Sequence, residues 1–275
     1  MKKILTFCVL VFMTNYLLYS AERESEKLKT EKYVTVLENY VDSQGFVNYK
    51  QLKKNIFILD DFLLSLKNYK FPEYSSLNKK EKIIFWINVH NASVLKFVAI
   101  YYPIKSKPFS FLSKYPQNSV KQLRNFDKVK IYAVEKERTL RQIKQKILEL
   151  GDSRALFALT FACKSSPVLK NSIYEWELLP RDLNEQVRRF LANESNYRLD
   201  TLNSIVYISN FLKEHALDLR PRDKNLPKYL EKEDRNVINF IFDYIPEKDR
   251  EYLKKAYYAI QYVDFEWELN EQEIE

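Results

Sequence analysis

Glycine is nearly absent from this sequence: among 275 residues it occurs only at Gly45 and Gly151. A Walker phosphate loop, a Gly-x-Gly-x-x-Gly dinucleotide fingerprint and a Gly-x-Ser-x-Gly nucleophile elbow each need closely spaced glycines, because the backbone turns tightly or approaches a ligand there. The sequence therefore excludes nucleotide binding through those loops and the usual serine-hydrolase arrangement.

Cysteine and histidine are equally scarce, with only Cys8, Cys163, His90 and His215. Cys8 lies in the apolar N-terminal segment, so removal of that segment would leave one thiol and no possible internal disulfide. A structural zinc site needs four closely arranged nitrogen or sulfur ligands, and a calcium hand needs an Asp-rich loop; neither pattern is present. We predict no metal site and no cofactor.

The charge of the chain is positive but not clustered. Lysine and arginine number 45 against 37 acidic residues, a formal net charge of +8, and the two signs are interleaved along the sequence. Nucleic-acid-binding proteins usually concentrate basic residues on one face or carry a recognisable module. We therefore expect no nucleic-acid partner.

The first 20 residues are typical of an export signal. Lys2 and Lys3 open the segment, an apolar run of about ten residues follows, and the small residues Ser20 and Ala21 suit a cleavage site. A helix that spans a bilayer needs roughly 20 apolar residues. We predict a signal peptide at 1–20, a periplasmic or secreted protein, and no transmembrane span elsewhere; the alternative is anchoring by an uncleaved signal.

Hydrophobic periodicity predicts one helix-rich α+β domain at 33–270, between a charged lead-in at 21–32 and an acidic tail at 271–275. It favours short strands at 128–134 and 155–161 and a loop around Pro72. Helical spacing of apolar residues covers 33–41, 52–66, 79–101, 139–150, 180–192, 204–217, 234–244 and 248–262. We expect a small β-sheet beside a buried central helix.

The central helix is predicted at 79–101, because this segment is apolar almost all round. Asn78 and Glu81 form the pattern of a capping box at its start. Asn88 and Asn91 lie inside the apolar run, where an unpaired amide costs roughly 1–3 kcal/mol. We expect these amides to fasten an adjoining loop through backbone hydrogen bonds.

Three segments, Phe85–Ala92, Ala158–Leu169 and Phe265–Asn270, together resemble the domain of unknown function family 547 (DUF547) in order and spacing. Val41–Tyr49 is similar to an early motif of that family, so the resemblance runs over roughly 33–270. It implies structural roles for the motif residues Trp86, Asn88, Asn91, Ser165, Pro167, Trp267 and Asn270.

The chain departs from the family at the positions with reactive side chains. Where members usually carry a glutamate–histidine pair, this sequence has Lys144 and Gln145; it has Leu156 at a histidine position and Phe161 and Ser166 at two cysteine positions. Histidine, glutamate and cysteine are the residue types that a thiol-dependent enzyme needs. The resemblance therefore implies a degenerate, pseudoenzyme-like member.

The leading hypothesis is a non-catalytic binding or structural role in the cell envelope or outside the cell, with a protein or an envelope polymer as partner. The alternative is a thiol-dependent hydrolase or transferase in which Cys163 works with a histidine, His90 being the nearest candidate on the central helix and Asn88 or Asn91 orienting its ring. A free cysteine, however, most often behaves as a small buried hydrophobe. A third hypothesis is a purely structural domain whose charged helices form the interaction face.

Overall fold

A computed structural model describes residues 28–104, 115–123, 126–219, 224 and 226–273. The predicted signal peptide at 1–20, the lead-in up to 27 and the last two tail residues lie outside the described residues. The α-helices are α1 (Thr30–Tyr40), α2 (Tyr49–Lys54), α3 (Phe57–Asn68), α4 (Phe71–Ser76), α5 (Lys79–Tyr101), α6 (Leu140–Glu149), α7 (Leu179–Ala192), α8 (Asn210–Glu214), α9 (Lys232–Ile241) and α10 (Glu247–Lys255). The strands are β1 (Lys130–Ala133), β2 (Lys136–Thr139), β3 (Tyr197–Asp200), β4 (Ile205–Ser209) and β5 (Ala259–Val263).

The central helix α5 is confirmed with its predicted start. Asn78 accepts the backbone N–H groups of Lys80 and Glu81, and the Glu81 carboxylate accepts the N–H of Asn78, so the capping box is complete. Its length and composition would also suit a membrane span, but 78% of the most apolar window is buried inside the protein. Burial on all sides is what an evenly apolar helix needs in a protein core.

Helices α2 and α3 pack against α5, and α1 packs on α3. The α1 ring of Tyr33 stacks on Phe62 of α3 with centroids 5.1 Å apart. The predicted loop around Pro72 is instead the short helix α4, because Pro72 stands at a helix start, where its missing N–H is not needed.

A hairpin leads into α6. Strands β1 and β2 pair antiparallel, and the two residues between them, Val134 and Glu135, have φ of 49° and 57°, as two-residue hairpin turns require. Thr139 then accepts the N–H of Gln142, whose side chain accepts the N–H of Thr139, and this second capping box starts α6.

The prediction of a strand at 155–161 is wrong. Residues Ser153–Ala158 form a 3₁₀-helix with Asp152 as its N-cap, and the chain after it is extended but pairs with no described strand. A fully apolar run carries no period, so a buried strand and a buried helical turn look alike in sequence. Phe157 is fully buried against Phe190 of α7, at 5.1 Å between ring centroids.

The segments 204–217 and 248–262, each predicted as one helix, each contain a strand and a helix. β4 precedes α8, and β5 follows α10; β3 and β5 flank β4, the first pair antiparallel and the second parallel. The parallel pair can form only in the folded chain, because α8, α9 and α10 lie between its strands. Tertiary pairing thus overrides the local periodicity.

The α+β class and the helix-rich single domain around a buried central helix are confirmed. The described residues form two small sheets, of two and three strands, in place of the one that was expected. The start of the acidic tail is bonded to the N-terminal region: the N–H of Gln272 donates to the carbonyl oxygen of Val47 over 3.1 Å.

Candidate functional site

Asn91 on α5 fastens the segment that follows the 3₁₀-helix. Its side-chain NH₂ donates to the carbonyl oxygen of Ala158 over 2.8 Å, and its oxygen accepts the backbone N–H of Thr160 over 3.0 Å. Both partners are almost fully buried. Because a donor and an acceptor are matched at once, the orientation of the amide is fixed.

The Asn91 oxygen also orients His90. Nδ1 of His90 lies 3.2 Å from that oxygen, which can only accept, so Nδ1 carries the hydrogen and Nε2 is left as an acceptor. Burial lowers the pKa of His90 to about 4. The hydrogen bond to Asn91 opposes this shift, and the positive charge of Lys144 adds to it. The ring is therefore uncharged at neutral pH.

His90 lies on the wall of a cavity of about 320 Å³ between α5, α6, α8 and the C-terminal segment. Half of its twelve lining residues are aromatic or aliphatic: Phe126, Leu140, Phe161, Phe211, Phe265 and Trp267. The other lining residues are three cations, one carboxylate and two histidines: Lys121, Arg141 and Lys144, then Glu214, then His90 and His215. With both imidazoles neutral, the lining has a formal charge of +3 − 1 = +2.

His215 is held by two charged side chains. Its Nδ1 lies 2.8 Å from a carboxylate oxygen of Asp218, and its Nε2 lies 3.4 Å from Nζ of Lys144. A neutral imidazole that donates from Nδ1 and accepts at Nε2 satisfies both contacts. Burial and the Lys144 charge lower the pKa of His215, and the Asp218 and Glu214 carboxylates oppose that shift.

Trp267 brings the C-terminal motif into the cavity. The Lys121 ammonium lies 3.8 Å from the centroid of the Trp267 ring, a cation–π distance, and Phe265 stacks on the same ring at 5.1 Å. This wall combines a flat aromatic surface with a fixed positive charge.

Asn270, the other C-terminal motif residue, lies away from the cavity. Its side-chain NH₂ donates to the carbonyl oxygen of Gly45 over 3.0 Å, and its oxygen accepts the hydroxyl of Tyr49 over 2.9 Å. Asn270 therefore ties the C-terminus to the turn after α1.

Ser165 and Pro167 belong to a buried turn. The Ser165 hydroxyl accepts the N–H of Glu266 over 2.9 Å, and Ser166 accepts the N–H of Phe161 over 2.8 Å and donates to the carbonyl oxygen of Pro167 over 3.0 Å. Both hydroxyls are engaged with backbone, which is the usual role of serine in such turns.

Cys163 is buried in the same turn, at 2% exposure, and does not line the cavity of His90. Burial raises the pKa of the Cys163 thiol to about 12, against smaller opposing effects of Ser166 and Lys121. The thiol is therefore protonated at neutral pH, and a protonated thiol is a poor nucleophile.

Two further motif residues of α5 lie outside the cavity. The Trp86 indole N–H donates to the hydroxyl of Tyr74 over 2.8 Å, and its ring is 1% exposed. Asn88 makes no side-chain hydrogen bond within the described part of the chain and lines a separate pocket.

The five positions at which the resemblance implies a departure from DUF547 lie in different parts of the structure. Lys144 and Phe161 line the cavity, Leu156 is fully buried, and Ser166 belongs to the turn described above. Gln145 is exposed on another side of α6. Two of these five positions therefore contribute side chains to the cavity.

Of the residues predicted from sequence, the structure brings only His90 and Trp267 together in the cavity. Sequence reasoning missed Lys121, Arg141 and His215 as partners, because they lie on separate elements without a shared motif. Within the part of the chain that the structure describes, no three His, Cys, Asp or Glu side chains are grouped as metal ligands.

The family model described as protein of unknown function, DUF547, matches residues 74–191. The match runs from α4 to the end of α7 and includes His90, Lys144 and Phe161 of the cavity. Comparisons with curated proteins and with solved structures gave no significant match. Residues 74–191 of this chain are therefore similar to the DUF547 family of proteins of unknown function.

Proposed function

We propose that the protein binds, without transforming it, a small organic anion with a flat apolar part, in the cavity lined by His90, Lys144 and Trp267. The observation that carries the proposal is the convergence of three cations on an aromatic-walled cavity of about 320 Å³. Concave, mostly apolar sites with a few converging polar groups are the usual form of small-molecule sites.

The charged and aromatic residues of the cavity would contact different parts of the ligand. Lys121, Arg141 and Lys144 suit a carboxylate or phosphate, because ammonium and guanidinium groups form charge-assisted hydrogen bonds to such oxygens. Trp267 and Phe265 offer a flat surface beside them. His90 and His215 contribute acceptor or donor nitrogens but no charge at neutral pH, since the pKa of each is lowered.

The lining also supports binding over catalysis. No serine, threonine or cysteine is among the described residues that line the cavity. An activated nucleophile needs a base within hydrogen-bond reach. Both ring nitrogens of His215 are engaged with Asp218 and Lys144, and the described lining places no hydroxyl or thiol beside Nε2 of His90.

The alternative function is a thiol-dependent hydrolase or transferase that uses Cys163 with a histidine. Its support is weaker, because the thiol is buried, its pKa is raised to about 12, and it lies outside the cavity lining. Alkylation of Cys163 across pH separates the two. Rapid reaction with an apparent pKa well below about 8.5 would favour the enzyme, whereas reaction only on unfolding supports binding.

We also propose that the protein acts outside the cytoplasm, in the periplasm or as a secreted protein. The support is the segment 1–20, with Lys2 and Lys3 before an apolar run and Ser20 before Ala21. N-terminal sequencing of the protein recovered from a cell-envelope fraction tests this. A mature start near residue 21 agrees with a cleaved signal, and an intact Met1 in the soluble cytoplasm contradicts export.

Anion binding is tested by isothermal titration calorimetry with phenyl phosphate against benzyl alcohol, a neutral compound with the same ring. We expect the anion to bind at least tenfold more tightly. The substitution Lys144→Gln should weaken phenyl phosphate about tenfold, about 1.4 kcal/mol. The matched control Lys146→Gln removes the same charge from an exposed position of the same helix, outside the cavity, and should change nothing.

Two outcomes would refute the proposed anion site. Equal affinity for phenyl phosphate and benzyl alcohol would mean that the cations do not select the ligand. Equal losses in the Lys144 and Lys146 variants would mean that the anion responds to the overall charge of a basic surface.

A further inference from the structure

A second pocket, of about 310 Å³, lies between α3, α5 and the loop before α7. Five aromatic side chains form much of its lining: Phe62, Tyr69, Phe85, Tyr174 and Trp176. Five of the other ten lining residues are aliphatic, Leu66 and Ile84 among them, and the other five are polar or acidic. We call it the aromatic pocket; it shares no lining residue with the cavity of His90.

The charge of the aromatic pocket is opposite to that of the chain. Glu81, Glu175 and Glu177 line it, and no lysine or arginine is among its described lining residues, so the lining has a formal charge of 0 − 3 = −3. The whole chain carries +8. This local reversal of sign favours a positively charged occupant.

Asn88 gives independent evidence of a ligand. Its side chain is 8% exposed, lines the aromatic pocket and makes no hydrogen bond within the described residues, whereas Asn91 three residues along the same helix makes two to backbone. Its amide atoms are not among the fully buried polar atoms that lack a partner, so they are reached from the pocket. A hydrogen-bonding group of a bound molecule would find this amide available.

Trp176 gives a third observation. Its side chain is 46% exposed at the edge of the aromatic pocket, and the Lys80 ammonium lies 5.8 Å from its ring centroid. The ring therefore already receives one cation from the protein. Cations over tryptophan faces are the usual basis for recognising organic ammonium groups.

We propose that the aromatic pocket binds a small organic cation with an apolar body. The cationic group faces the rim carboxylates of Glu175 and Glu177 and the aromatic rings, and the body fills the space beside Phe62 and Phe85. A polar substituent on the body bonds to Asn88. This site is separate from the proposed anion site and does not depend on it.

The experiment titrates the full chain with benzyltrimethylammonium and, in parallel, with 2,2-dimethylpropylbenzene, in which carbon replaces the charged nitrogen. The readout is tryptophan fluorescence in the Trp267→Phe variant, so that Trp176 reports without the tryptophan of the other cavity. We expect saturable binding of the cation and at least tenfold weaker binding of the neutral compound. Phenyl phosphate, the probe of the first site, should give no signal here.

Two variants locate the binding site. The exposed pair Glu175→Gln with Glu177→Gln should weaken the cation about tenfold without affecting folding, and the matched control Glu185→Gln with Glu194→Gln, also outside the core, should not. For Asn88, a hydroxyl-bearing probe, (4-hydroxybenzyl)trimethylammonium, should lose affinity in Asn88→Leu more than the parent probe does.

The proposal is overturned if the neutral compound binds as tightly as the cation, because the pocket is then only an apolar surface for a protein segment or a second copy. It is also overturned if no saturation occurs up to millimolar cation, or if the Glu175/Glu177 variant binds as the wild type does. None of these results bears on phenyl phosphate binding, so the two proposals fail separately.

Discussion

Replacing Asn91 by leucine should destabilise the protein by about 4 kcal/mol. The change removes the acceptor of the Thr160 N–H and the donor to the Ala158 carbonyl, while it keeps roughly the side-chain volume. Thr160 is 1% exposed and Ala158 2%, so water cannot replace the amide. Each buried group left unsatisfied costs about 1–3 kcal/mol, and two of them give about 4 kcal/mol.

The control for this prediction is Asn88→Leu on the same helix. Asn88 is also buried, but its amide has no partner within the described residues. Leucine there removes an amide that bonds to no described residue and adds apolar surface, so the free energy of unfolding should change by less than about 1 kcal/mol.

Equilibrium unfolding in urea, followed by far-UV circular dichroism, measures both variants. With a slope of about 3 kcal/mol/M, a loss of 4 kcal/mol lowers the midpoint by about 1.3 M. A loss below 1 kcal/mol for Asn91→Leu, or equal losses for the two variants, would refute the assignment of Asn91 as the residue that fastens the chain after the 3₁₀-helix.

Three other predictions concern stability. Gly45→Ala should lower the free energy of unfolding in urea by more than about 3 kcal/mol, because a Cβ there would lie 2.6 Å from another side chain and the φ is +84°. The control Gly151→Ala, at an exposed position with a φ of +77°, should cost only about 1 kcal/mol, and equal costs would contradict the clash. Tyr258→Phe should leave the melting temperature unchanged or raise it, because the buried Tyr258 hydroxyl has no partner within the described residues. Tyr49→Phe should lower the melting temperature, because it loses the hydrogen bond to the Asn270 amide. The reverse order would contradict these hydrogen-bond assignments. The pKa of His90 is about 4 in the folded protein and about 6.5 in the unfolded chain, so the unfolded chain binds the proton first as the pH falls. About 3 kcal/mol of stability should therefore be lost as the pH falls from 6.5 to 4. His90→Gln should remove that part of the pH dependence of unfolding.

The parts of the fold that were predictable from sequence are those fixed by local contacts. The capping box of Asn78 and Glu81 sets the start of α5 within its own first turn, and the apolar surface of that helix specifies a buried position. The wrong assignments share a physical cause. β4 and β5 are strands only because they pair with each other across three intervening helices, and no local period records that pairing.

The site was less predictable than the fold, for a related reason. Asn88 and Asn91 carry the same side chain three residues apart in one apolar run, yet one is satisfied by backbone and the other faces a pocket. The difference arises from the packing of distant segments against α5. Likewise His90 and His215 meet at one cavity although 125 residues separate them.

The electrostatics of the cavity turn on the single position of Lys144. DUF547 members usually carry glutamate there, by the resemblance described above, and that residue would change the lining charge by −2, from +2 to 0. Lys144 also lowers the pKa of both His90 and His215, so a carboxylate in its place would raise each of them and favour the imidazolium forms. Lys144→Glu should therefore abolish binding of phenyl phosphate in calorimetry and move the NMR titration of His215 to higher pH. If the anion still bound and the titration did not move, Lys144 would not determine the charge of this cavity or what the protein binds there.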